Sequence, residues 1–69
     1  MTPAELRAIR AGLGLSQAKL ARVLGIGLGT LCGWEHGRRR VPPLAAKVLR
    51  MLRQEPGLVE RLRTGGNTG

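Results

Sequence analysis

The sequence predicts an all-α fold, a compact bundle of four to five short helices. Apolar residues recur at helical spacing, as in Leu44, Val48, Leu49 and Leu52, and no stretch alternates with the two-residue period of a strand. Phe and Tyr are absent, which removes two strand-favouring residues and leaves Trp34 as the one large aromatic candidate for the core. Helix caps and glycine stops punctuate the chain at short intervals.

The elements follow in order. Thr2-Pro3-Ala4-Glu5 combines a Thr cap, Pro at the first helical position and Glu three residues after the cap, a capping box. The first helix is expected to run to about Ala11, with Leu6, Ile9 and then Leu13 facing inward. Gly12 and Gly14 end it, because glycine adopts the positive φ of a helix C-terminus. Ser16 caps the second helix, whose inward face is Leu20, Ala21 and Leu24, and Gly25 breaks it. The third is expected over roughly 28 to 36, pinned by Leu31 and Trp34 and stopped by Gly37. A basic loop, Arg38-Arg39-Arg40-Val41-Pro42, leads to a fourth helix opened by Pro43. Glu55-Pro56-Gly57 then starts a short fifth helix carrying Leu58, Val59 and Leu62. Residues 1–63 read as one domain, and the small polar residues 64–69 as a disordered tail. A chain this short buries only about 60% of its unfolded surface, so the core, centred on Leu20, Leu31 and Trp34, is thin.

Twelve Lys and Arg against four Asp and Glu give a net charge of +8, which favours polyanionic partners, nucleic acid first. No apolar run approaches the ~20 residues that span a bilayer, and the N-terminus does not read as a signal peptide. The expectation is a cytoplasmic protein associated with the nucleoid, with no membrane partner. Cys32 is alone, so it forms no internal disulfide, and one Cys with one His makes no zinc site. No metal or other cofactor is expected. Four scattered acidic residues, with no nucleophile–base pair and no phosphate-cradling loop, argue against an enzyme.

Two short helices joined by a tight turn, in a strongly basic domain, make a helix-turn-helix. The run Leu6-Arg7-x-x-Arg10-x-x-Leu13-Gly14-Leu15-Ser16-Gln17-x-x-Leu20-Ala21-x-x-Leu24-Gly25, then Trp34-Glu35-x-Gly37 and Pro42, resembles the phage-repressor and Cro (XRE-like) DNA-binding domain. The resemblance covers about residues 4 to 62. The Gly-x-Gly-Leu before the third helix and the Pro-Gly-Leu after the fourth are also similar to the DNA-binding domains of certain antitoxins. It implies a lambda-repressor-like bundle that presents the third helix to the major groove. It also implies that Ser16 and Gln17 grip the DNA backbone, where a helix N-terminus offers free N–H groups to phosphate. Arg10 and Glu35 match an internal salt bridge of the family. Arg38, Arg39 and Arg40 fall where the family places basic residues against flanking phosphates.

The reading helix departs from that family. Direct readout needs donors and acceptors aimed at base edges. Here the major-groove face is Leu28, Gly29, Thr30, Cys32 and Gly33, of which only Thr30 bonds well. Gly25, Gly29, Gly33 and Gly37, at intervals of four, would leave one face of bare backbone. Such a face suits deep seating in the groove with readout of DNA shape, close approach of a protein helix, or a reading function that has been lost.

The expected function is that of a DNA-binding transcriptional regulator, a repressor or an autoregulatory antitoxin-type protein, acting on double-stranded DNA as a homodimer. The dimer surface would lie on the fourth and fifth helices around Met51, Leu58 and Leu62, three residues that a satellite core would explain equally well. The alternative is a protein–protein module that binds a toxin or a transcription component through the glycine face.

Overall fold

Thr2 and Ser16 open the first two helices in the same way. The Thr2 hydroxyl accepts from the Glu5 N–H at 3.0 Å and the Ser16 hydroxyl from the Lys19 N–H at 3.1 Å. The structure, a computed structural model, describes residues 1–65. Its helices are α1 (Pro3–Leu13), α2 (Gln17–Leu24), α3 (Leu28–Glu35), α4 (Pro43–Gln54) and α5 (Leu58–Gly65), with no strand among the described residues. The fold is an all-α bundle.

α1, α2 and α3 close with the same motif. Gly14, Gly25 and Gly37 sit at φ 69, 71 and 76, and each is followed by a pair of turn hydrogen bonds back to the helix. At α2, Gly25 N–H donates to Arg22 O at 3.2 Å and Ile26 N–H to Ala21 O at 3.0 Å. This is the Schellman arrangement, which satisfies carbonyls that the helix end would leave unpaired. Gly12, expected to help stop α1, is instead helical, because one left-handed residue suffices and Gly14 supplies it.

The main core joins Leu6 and Ile9 of α1, Leu20 and Ala21 of α2, Leu31 and Trp34 of α3, Val41, and Ala46 and Leu49 of α4. A smaller cluster of Val23, Leu52 and Val59 ties α5 to α2 and α4. Leu58 packs against that smaller cluster, whereas Met51 and Leu62 are exposed. Leu44, one of the apolar residues that recur at helical spacing along α4, is 73% exposed. The buried stripe of α4 is Ala46, Leu49 and Leu52, and Leu44 lies roughly a third of a turn away from it. α5 also runs two residues past the expected limit of 63, and residues 66–69 of the expected tail lie outside the described residues.

Candidate nucleic-acid interface

α3 is a poor helix by sequence and a well-fixed one in the fold. It has no side-chain cap at Gly27 and holds Gly29 and Gly33. Its inner face drives Leu31 and Trp34 into the core and buries Glu35 to 1% exposure. A buried carboxylate needs partners, and Glu35 has them on both oxygens. Arg10 Nε donates to Oε2 at 2.7 Å and Arg10 Nη2 to Oε1 at 3.2 Å, a two-pronged ion pair. Gln17 Nε2 donates to Oε1 at 3.1 Å. Arg10 Nη1 reaches on to the Leu15 carbonyl at 3.1 Å, and Arg7 Nη1 donates to the Glu35 carbonyl at the C-terminal end of α3.

Three helices, α1, α2 and α3, therefore meet at one carboxylate. Burial opposes ionisation of Glu35, but the hydrogen bonds from Arg10 and Gln17 and the charges of Arg10 and Arg7 outweigh it. Together they hold its carboxyl below the ordinary value of 4.5. The network fixes α3 against α1 and the N-terminus of α2.

The Gln17 side chain belongs to this network. Its amide is drawn inward, the nitrogen to Glu35 and the oxygen to the Cys32 thiol, which donates at 3.5 Å. What Gln17 presents outward is its backbone N–H, one of the first-turn donors of α2 that have no intrahelical acceptor. Cys32 is half-buried in the same network, and His36 Nδ1 lies 2.8 Å from the Cys32 carbonyl, which can only accept. Arg7 was missed in the sequence. Its spacing of three from Arg10, on one face of α1, was the available signal.

The four evenly spaced glycines do not form one bare face. Gly25 and Gly37 are turn residues. Gly29 is open, with nothing within 4 Å of where a Cβ would stand. Gly33 is buried, and a Cβ there would meet Arg39 Cγ and Cδ at 3.3 Å. The loop after α3 folds back onto the same glycine: the Arg38 and Arg39 N–H groups donate to the Gly33 carbonyl at 2.9 and 3.2 Å. Leu28 is 48% exposed and Thr30 half-buried. Arg38, Arg39 and Arg40 are exposed, and among the described residues none of their guanidinium groups has a hydrogen-bond or ion-pair partner.

Among the described residues no group of three His, Cys, Asp or Glu could hold a metal ion, and no helix is long and apolar enough to cross a membrane. An apolar depression of about 460 Å³ opens between α2, α4 and α5, lined by Leu24, Ile26, Trp34, Leu44, Val48 and Leu62 among others.

The family model described as the antitoxin component of the bacterial toxin–antitoxin system, MqsA, matches residues 1–63. The chain belongs to this antitoxin family. No curated protein and no solved structure matches it. The match covers α1 to α4 and most of α5, so the α2–α3 pair and the Glu35 network both lie inside it.

Proposed function

We propose that this antitoxin-family chain is a DNA-binding transcriptional regulator, a repressor that can act on its own operon, which lays α3 in the major groove of double-stranded DNA. The likeness to phage repressors supports this, and one observation carries it. α2 and α3 are joined by a turn of residues 25–27 and locked by the Glu35 network, with three unpaired guanidinium groups immediately beyond α3. A rigid pair of helices flanked by free cations is what a polyanionic groove requires.

In this reading Ser16 and the first N–H groups of α2 meet one phosphate strand, and the basic run Arg38, Arg39 and Arg40 meets the DNA on the other side of α3. Gln17 acts through its backbone N–H. Leu28, Gly29 and Thr30 face the groove floor. The protein works in the cytoplasm on nucleoid DNA, as a homodimer whose subunits meet through the apolar depression and the exposed Leu44, Met51 and Leu62. A toxin is the second partner that the family implies. Docking of a protein helix on a glycine stripe of α3 is the less favoured reading, because Arg39 covers Gly33 and interrupts the stripe.

The test is titration of the chain with duplex DNA across salt concentrations. About six phosphate contacts predict a log–log slope near −5 per subunit, from ~0.9 per contact. Replacing Arg38, Arg39 and Arg40 together with Glu abolishes binding. A flat salt response, or amide signals of Ser16, Thr30 and Arg39 that do not move with DNA at low salt, overturns the reading.

A further inference from the structure

The side chain that lies over the middle of α3 does not belong to α3. Gly33 stands where a helix laid in a groove would present its central residue, and it has no side chain. In that space runs the stem of Arg39: Cγ and Cδ come within 3.3 Å of the Cβ position of Gly33, and Nε within 3.7 Å. The contact is anchored as well as close, because the Arg39 N–H donates to the Gly33 carbonyl at 3.2 Å. Backbone and stem are thus both held by the same glycine. The guanidinium beyond them has no partner among the described residues.

We infer that Arg39 is the specificity-determining residue of this interface, reading guanine in the major groove from the position that Gly33 leaves empty. This rests on the DNA-binding reading given above. A guanidinium carries five donors in a fixed fork and matches the O6 and N7 acceptors of guanine with two hydrogen bonds. The residues that α3 itself presents cannot do this: Leu28 is apolar, Gly29 is bare, Thr30 has one O–H donor where two are needed, and the Cys32 thiol is committed to Gln17. Seating the stem on α3 removes much of the rotamer freedom that an arginine would otherwise lose on binding. Gly33 suits the device, because a Cβ at that position crowds the stem and makes it shift by a few tenths of an ångström. Arg38 and Arg40 remain as phosphate contacts.

The experiment uses the full chain. Duplexes are selected from a random-sequence library, and affinity is measured for the best duplex and for copies with each guanine replaced in turn. The readout is the ratio of those affinities, so general changes in electrostatic attraction cancel. Thermal unfolding checks that each variant is folded, which exposed arginines permit.

The expected result is one guanine per half-site whose replacement weakens wild-type binding roughly tenfold or more, as loss of a two-bond contact does. Arg39→Lys, which keeps the charge and loses the fork, collapses that ratio towards one, whereas Arg38→Lys and Arg40→Lys do not. If Arg39→Lys leaves the ratio intact, or all three variants narrow it equally, the inference is overturned. Wild-type binding that is equal for every duplex also overturns it, while leaving DNA binding itself in place. Failure to bind any duplex at low salt overturns the DNA-binding reading beneath it.

Discussion

α2 and α3 are equal in length and adjacent in the chain, yet they are held by opposite means. α2 is supported locally: Ser16 caps its start, Gly25 closes its end, and its apolar residues fall on one side. α3 has an uncapped start, two glycines and no polar side facing solvent. Its order comes from elsewhere, through Leu31 and Trp34 in the core, the Arg10–Glu35 pair and the loop that returns to Gly33. The lesson concerns design for binding. A helix whose stability is supplied by its inner face and by its neighbours leaves its outer face free of any structural duty.

That contrast is broken first at Trp34. Removing a large buried aromatic costs about 3–5 kcal/mol, against a total of roughly 4–10 kcal/mol for a domain of this length. Trp34→Ala therefore removes about half of the domain's stability, and urea denaturation followed by circular dichroism will show the midpoint falling accordingly. A variant that keeps its midpoint would mean that α3 is not held from within.

Glu35→Gln comes next. It retains the shape but removes the charge that faces Arg10 and Gln17, at a cost of about 2–3 kcal/mol. The loss should appear in the same denaturation curves, and proton exchange at the α3 amides should rise more than at those of α2. Equal effects on both helices would show that the network is a general staple and not an anchor for α3.

Acid provides a milder version of the same break. The Glu35 carboxyl titrates lower in the folded chain than its ordinary value of 4.5, so near that value the unfolded state binds more protons. Its contribution is fully present above about pH 4.5 and is lost as pH falls through the lower folded value. Glu5 is also lowered: desolvation acts against its charge, and the hydrogen bond and charge of Arg50, with Arg53 and the N-terminus, outweigh it. It is more exposed and adds less. Wild type should lose stability on acidification below about pH 4.5, and Glu35→Gln should show a visibly shallower loss. Parallel curves would assign the acid sensitivity to other groups.

Which parts of this arrangement were legible in the sequence follows the same division. Whatever is decided by neighbours in the chain could be read: the Thr2 and Ser16 caps, the Gly14 and Gly25 stops, and the five helices. The Arg10–Glu35 pair entered through family resemblance, since 25 residues separate its members. What depends on distant packing was not readable. Nothing in the string says that Gln17 turns its amide inward, that Leu44 lies off the buried stripe, or that four equally spaced glycines serve three purposes. The Arg39 stem on Gly33 is a loop-to-helix contact, and no periodicity encodes it.

The smallest effects are local and sharpen the comparison most. Ser16→Ala removes the cap of α2 and costs about 1 kcal/mol, a loss that α3 cannot suffer because it has no such cap. The two helical glycines of α3 then separate open helix from covered helix. Gly29→Ala enters free space and should stabilise the domain by about 0.4–1 kcal/mol, since alanine restricts the unfolded chain. Gly33→Ala gains the same term but sets its new methyl 3.3 Å from two carbons of Arg39, so the stem must shift by a few tenths of an ångström. Its net gain should fall below that of Gly29→Ala, and the deficit measures how firmly Arg39 is seated. Equal gains from the two substitutions would show a stem that slides aside freely, and α3 would then offer no fixed guanidinium to a groove.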